Sequence, residues 1–132
     1  MKEYRALCTA VGWAPELNFE AAARALENSL YAVVAVWEDK TIGMGRIIGD
    51  GAVYLSLEDI VVFPEHQGKG VGAMIVERLM RHLNEYAPDR AVINLRAARG
   101  MVPFYVRFGF HTLPADGDTA MSLVVGKDRA RE

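Results

Sequence analysis

Residues Tyr54 to Tyr86 constrain the fold more than any other part of this sequence. They open on a strand-like run, Tyr54-Leu55-Ser56-Leu57-Glu58-Asp59-Ile60-Val61-Val62-Phe63, which Pro64 stops because proline cannot donate to a sheet ladder. A short polar loop follows, with glycines at alternate positions: Gly68, Gly70 and Gly72. Beyond it Val71, Met74, Ile75, Leu79 and Leu83 recur at helical spacing, and Glu77, Arg78, Arg81 and Glu85 take the other face. A strand that runs through a glycine-dense turn into a helix makes an anion site. Free N–H groups converge there and the helix end adds partial positive charge. Glycines leave such a backbone open to close approach by a diphosphate.

The rest of the chain supplies elements around this unit. Glu3 to Val11 predicts a short helix with Tyr4, Leu7, Cys8 and Val11 on one side, broken by Gly12-Trp13-Ala14-Pro15. Asn18 is placed to cap a second helix, Phe19 to Asn28, whose apolar stripe is Phe19, Ala22, Ala23 and Leu26. Tyr31 to Trp37 is apolar on both faces, which predicts an interior strand. Glu38-Asp39-Lys40 turns it into a strand from Thr41 to Ile48, and Gly49-Asp50-Gly51 carries a hairpin signal into the Tyr54 strand. Together these strands predict an antiparallel meander.

After the long helix and the break at Ala87-Pro88-Asp89-Arg90, Ala91 to Ala97 reads as a strand, and a strand–helix–strand unit of this length pairs its strands in parallel. Val102 to Phe108 fits a short helix with Pro103 in its first turn and Gly109 at its end. Phe110–Leu113 and Ala120–Val125 close the sheet as a hairpin across Pro114–Asp118, and a charged tail runs from Gly126. The expected fold class is α/β with a mixed sheet.

At 132 residues the chain makes one domain, and no apolar run approaches the ~18 residues of a membrane helix, so no membrane partner is expected. The first residues lack the apolar core of a signal peptide. A lone Cys8 excludes an intrachain disulfide and suits a reducing cytoplasm, where it serves as a small apolar helix residue. A net charge of −2 argues against a nucleic-acid partner. No Cys/His cluster has zinc spacing, so no metal is expected.

The loop fails two familiar phosphate patterns. In a triphosphate-binding loop Gly-Lys is followed by Ser or Thr, whereas Gly68-Lys69 is followed by Gly70. The dinucleotide fingerprint needs G-x-G-x-x-G, and this loop reads G-x-G-x-G. What remains is Gln67-x-x-Gly70-x-Gly72, followed downstream by Pro103-Phe104-Tyr105-Val106-Arg107-Phe108-Gly109-Phe110. With both motifs in this order, residues Tyr31 to Val125 resemble the GNAT superfamily of N-acetyltransferases.

The resemblance implies a single GNAT domain over residues 1–132, with acceptor-side helices in 1–30 and an acetyl-CoA-binding core in 54–110. It implies acetyl-CoA as cosubstrate, held between two parallel strands that splay apart and end at Val62 and Ala97. The implied cofactor-binding residues are Ile60, Val61 and Val62 on the strand, Gln67, Gly68, Lys69, Gly70, Val71 and Gly72 around the loop, and Phe104 on the short helix. Two departures stand out. Too few residues precede the first helix for the family's usual first strand, and Ala98 occupies a position where many members carry an Asn that contacts the coenzyme.

By the same resemblance Tyr105 is the acid that protonates the leaving thiolate; the alternative is a core aromatic among Phe104, Phe108 and Phe110. Glu58 and Asp59 are candidates for the base that takes the amine's proton, directly or through water. Regular alternation puts them on opposite faces, and a β-bulge would shift that parity. His111 is a second candidate base, while His66 and His82 read as surface residues. Trp13, Tyr31, Met44, Arg46 and Tyr54 are candidates for the acceptor side. The implied activity is direct acetyl transfer to the primary amine of a small molecule: an arylalkylamine, a polyamine or an amino sugar. A non-catalytic acyl-CoA sensor and a peptide or protein N-acetyltransferase are the alternatives, and a homodimer is possible by the same resemblance.

Overall fold

The computed structural model describes residues 1–13, 17–112 and 120–126. The elements run α1 (Lys2–Ala10), α2 (Phe19–Glu27), β1 (Tyr31–Trp37), β2 (Lys40–Gly49), β3 (Tyr54–Val62), α3 (Val71–Tyr86), β4 (Val92–Arg96), α4 (Val102–Val106), β5 (His111–Thr112) and β6 (Ala120–Val124). One six-stranded sheet has the order β1-β2-β3-β4-β6-β5. The β1–β2 and β2–β3 pairs are antiparallel, β3–β4 is parallel, and β6 runs antiparallel to both β4 and β5. This is the mixed sheet expected from the sequence. The expected Pro114–Asp118 connection, the Ala14-Pro15 break and the tail beyond Gly126 lie outside the described residues.

Local chemistry sets the element boundaries. Asn18 accepts hydrogen bonds from the backbone N–H groups of Glu20 and Ala21 at 3.0 and 3.2 Å, which caps α2. Asp50 accepts three, from Ala52, Val53 and Tyr54, and so shapes the turn into β3. Glu38 and Asp39 both take positive φ, the conformation of a tight two-residue hairpin between β1 and β2.

Two apolar clusters lie on opposite faces of the sheet. The larger joins Ile75, Val76, Leu79, Met80 and Leu83 of α3 to Ile47, Leu55, Leu57, Ile93, Leu95, Met121 and Leu123. The smaller joins Tyr4, Leu7, Cys8 and Ala22 of the first two helices to Met44 and Val61. Cys8 is fully buried there, as expected of a small apolar residue, and burial, then the Asp59 charge, push its thiol pKa up.

Three expectations need correcting. β1 lies at the sheet edge, not in its interior; its Tyr31, Val33 and Ala35 pack toward α3, whereas Val34 is 61% exposed. Apolar content on both faces therefore did not report burial on both faces. The buried stripe of α3 excludes Met74, 66% exposed, because the helix seats Ile75/Val76 and Leu79/Met80 as adjacent pairs. Ala23 likewise faces outward, leaving Ala22 as the buried residue of α2. His82 is half-buried, its ring stacked on Tyr31 at 3.8 Å between centroids, and His66 meets the Trp37 ring edge-on at 5.5 Å.

Leu79 is completely buried between α3 and the sheet. Leu79→Ala is expected to lower unfolding free energy by about 2–5 kcal/mol, read by urea denaturation at pH 7.

Candidate active site

β3 and β4 are held together over three residue pairs only: Tyr54 with Val92, Leu55 with Ile93, and Ser56 with Asn94. β3 then continues to Val62 and β4 to Arg96 without pairing to each other. The parallel strands part beyond Ser56, as the sequence resemblance implies, and their facing backbone groups are left without each other as partners.

A bulge lies in the part of β3 that no longer pairs with β4. Met44 of β2 faces Val61 and Arg46 faces Glu58, so two steps along β2 match three along β3. The extra residue is Asp59, whose φ of 55 is left-handed. Leu55 and Leu57 pack toward α3, as do Ile60 and Val62, while Val61 packs toward α1 and α2. Between Leu57 and Ile60 the alternation therefore takes an extra step. Glu58 and Asp59 both fall on the α1–α2 side.

The two carboxylates have different partners. Asp59 accepts from Arg46 Nε at 2.7 Å and from the Tyr4 hydroxyl at 3.0 Å. Arg46 also donates through Nη1 to the Ala25 carbonyl and to Ser29 Oγ, both at 3.2 Å, which ties the end of α2 to β2. Burial, then the Asp59 charge, push the Tyr4 hydroxyl pKa well above the usual tyrosine range, so it stays a donor. Glu58 makes no side-chain hydrogen bond with any described residue. Its carboxyl pKa is raised, first by desolvation and second by the Asp59 charge, with Arg46 and Arg96 pulling the other way.

Beyond the point of parting the molecule holds a cleft of about 590 Å³, within the usual range for ligand sites. Ile60, Val61 and Val62 form one wall; Gln67, Gly68, Gly70 and Gly72 form the loop end; Phe104 and Tyr105 close the side under α4. Lys69, exposed on the loop, Val71, half-buried at the start of α3, and the carboxylates Glu58 and Asp59 do not line it.

Gly68 and Gly70 have φ of 77 and 85, and a Cβ on either would meet nothing within 4 Å. Their glycine identity is required by backbone conformation, and the space in front of them is open. Gly70 caps α3 without a side-chain hydrogen bond, and no acidic residue occupies that helix's first turn. The N–H groups at the helix end are left for a ligand. Gln67 Nε2 donates to the Val62 carbonyl at 3.0 Å and pins the loop to the end of β3.

Tyr105 is 7% exposed yet lines the cleft, and its hydroxyl has no hydrogen-bond partner among the described residues. Burial raises its pKa to about 12, so the hydroxyl carries its proton at neutral pH.

Of the acceptor-side candidates, Trp13 lines the cleft, Met44 is buried in the smaller cluster and Arg46 is committed to Asp59. Tyr31 faces α3 instead, and Tyr54 stands exposed at the far end of β3. His111 is exposed on β5, outside the cleft. Val11, Ala73, Met101 and Arg107 line the cleft without having been singled out for it. The Arg107 guanidinium lies 5.5 Å from the Phe104 ring centroid and 5.8 Å from that of Phe108, a pattern written locally in Phe104-x-x-Arg107-Phe108.

Residues 10–122 match the protein family described as the acetyltransferase (GNAT) domain. The chain belongs to the GNAT acetyltransferase family. GCN5-related N-acetyltransferase 2, chloroplastic, of Arabidopsis thaliana is 33% identical over 85% of this chain and 50% of its own length. Histone acetyltransferase TAP1 of Glycine max is 33% identical over 85% of this chain and 52% of its own. This GNAT chain thus spans about half the length of the curated relatives it matches.

Among solved structures, a Staphylococcus aureus protein of unknown function described as a probable acetyltransferase superposes with a TM-score of 0.80 at 34% identity, over 88% of this chain and 86% of that one. A GNAT acetyltransferase of Brucella melitensis, solved in complex with acetyl-CoA, shares the fold with a TM-score of 0.68 at 20% identity, over 95% and 81% of the two chains. Among the described residues no helix is long and apolar enough to cross a membrane, and no group of His, Cys, Asp and Glu is arranged to hold a metal.

The Arg46–Asp59 pair is almost wholly removed from solvent, with both side chains 12% exposed. Arg46→Met is expected to lower stability by about 3 kcal/mol because it leaves a buried carboxylate unpaired, whereas Tyr4→Phe is expected to cost only about 1 kcal/mol. Urea denaturation of both variants checks the ranking.

Proposed function

We propose that this GNAT domain moves an acetyl group from acetyl-CoA to the primary amine of a small molecule, within a ternary complex and without an acetylated enzyme residue. The observation that carries the reading is the parting of β3 and β4 beyond Ser56, with the Tyr105 hydroxyl unpartnered in the cleft beyond. The chain's residues fit the coenzyme. The β3 backbone at Ile60 to Val62, which has no partner strand on its β4 side, suits an amide-bearing arm. The open αL turn at Gly68 and Gly70, with the uncapped start of α3, suits its diphosphate.

Bound acetyl-CoA supplies the activated acyl carbon, which gains a C–N bond to the amine as its C–S bond breaks. Glu58 takes the amine's proton, directly or across one water. Of the two carboxylates it is the better base, because Asp59 is occupied by Arg46 and Tyr4 while Glu58 has no hydrogen-bond partner among the described residues and is raised in pKa. The Tyr105 O–H gives its proton to the departing sulfur. The relative named as a histone acetyltransferase favours protein lysine as a second reading.

The test is thiol release from acetyl-CoA across a panel of small amines and lysine peptides. Coenzyme binding without turnover on any of them would leave an acyl-CoA sensor instead. Tyr105→Phe is expected to lower kcat by about 100-fold or more, with acetyl-CoA Kd unchanged. Gly70→Val strains a left-handed turn by about 1–2 kcal/mol and is expected to abolish acetyl-CoA binding, read by calorimetry on the folded variant.

Glu58→Gln is expected to remove about 100-fold or more from kcat/KM and to erase the acid limb of its pH profile. In the parent that limb lies above the ordinary carboxylate range, because the carboxyl must lose its proton to act as a base. The folded state raises this pKa, so parent stability falls as pH rises through the window between unfolded and folded values. The variant is therefore expected to melt higher than the parent at pH 8 and equally at pH 4.

A further inference from the structure

The cleft is poor in charge. Among the described residues that line it, Arg107 alone carries a formal charge at neutral pH; the others are apolar side chains, glycines, Gln67 and a protonated Tyr105. A coenzyme that brings several phosphate charges meets one side-chain counter-charge there. Attraction between such groups is stronger in a partly desolvated cleft than in open solvent.

The helix that carries Arg107 stands beside the phosphate loop. A Cβ on Gly72, in the first turn of α3, would lie 3.8 Å from Phe104 Cζ. The Arg107 guanidinium lies 5.5 Å from the centroid of that same ring. One aromatic ring therefore separates the guanidinium from the start of α3, and Gly72 and Arg107 line the same cavity. The family resemblance implies Lys69 at the phosphates, but Lys69 is exposed on the loop and does not line the cleft.

The guanidinium is positioned by its own helix. The Phe104 and Phe108 rings stand 5.3 Å apart at 61°, and Arg107 packs against both. Packing of this kind uses the face of the guanidinium and leaves its in-plane N–H groups for an anion. It also limits the rotamer freedom that a solvated arginine loses on binding. The Arg107 side chain makes no hydrogen bond or ion pair with any described residue.

We infer that Arg107 is the side-chain partner of a coenzyme phosphate. The loop and the start of α3 supply backbone N–H groups from one side of the cleft, and α4 supplies the charge from the other. Two phosphate oxygens match the guanidinium fork in a bidentate contact. Coenzyme A offers two such groups a ribose apart, the 5′-diphosphate and the 3′-phosphate, and the experiment separates them. The inference rests on acetyl-CoA as the coenzyme and is independent of the acceptor.

Calorimetry on the parent, Arg107→Met, Arg107→Lys and Lys69→Met measures affinity for acetyl-CoA and for acetyl-3′-dephospho-CoA. Arg107→Met is expected to weaken acetyl-CoA binding by about 10-fold or more at low salt, the scale of one hydrogen bond to a charged group. Lys69→Met is expected to weaken it by less than about three-fold. Arg107→Lys is expected to restore part of the loss, because it keeps the charge without the fork. The loss is also expected to shrink in about 1 M salt, where the screening length falls to about 3 Å. A loss confined to acetyl-CoA assigns the 3′-phosphate, and a salt-sensitive loss with both coenzymes assigns the diphosphate. A loss with both that ignores salt and that Arg107→Lys does not relieve overturns the inference, because it reports disturbed packing of α4. So does an Arg107→Met affinity within about two-fold of the parent, or a larger loss in Lys69→Met. Failure of the parent to bind either coenzyme overturns the coenzyme reading and this inference with it. Bound coenzyme without turnover on any amine sinks the proposed transfer and leaves the role of Arg107 standing.

Discussion

Asp59 holds a left-handed backbone inside a strand, a conformation that side-chain-bearing residues tolerate at a cost of roughly 1–2 kcal/mol. Arg46 and Tyr4 hold its carboxylate there from β2 and α1, and Arg46 in turn holds the end of α2. The extra residue bends β3 away from a regular ladder within the stretch where its pairing with β4 has ended. The cleft, the gathering of a second carboxylate beside Glu58 on the α1–α2 face and the seating of the first two helices all depend on that one residue and its partners.

The cleft joins two kinds of environment. Its loop end offers backbone N–H groups at the start of α3 with no acidic side chain to compete for them. Its α4 side offers a buried phenol whose proton is held firmly by desolvation. On the α1–α2 face Glu58 is desolvated beside a second carboxylate and binds its proton more tightly than a free carboxyl. These contrasting surroundings are what support the proposed acid role of Tyr105 and base role of Glu58.

Local patterns carried most of the architecture. The strand, the alternate glycines and the long amphipathic helix appear where their spacing puts them, and so do the Asn18 cap and the Pro103 helix start. Reading failed where a face had to be chosen. β1 is apolar on both sides yet forms an edge, and Met74 has the right period for the α3 stripe yet points outward. Composition and period specify that an apolar face exists; a neighbour decides which side it meets. Arg107 was hidden differently: its neighbours are local, but the cleft they border is made by β3, distant in sequence.

The amino-acid sequence by itself determined the elements, the phosphate-loop signature and the family to which the domain belongs, because these rest on spacing and on glycine and proline backbone limits acting within a few residues. Tertiary structure alone decided which carboxylate is engaged by Arg46 and Tyr4 and which has no partner among the described residues. Glu58 and Asp59 are chemically near-equivalent neighbours in the chain, and only the arrival of Arg46 and Tyr4 from two other elements makes one structural and leaves the other to titrate.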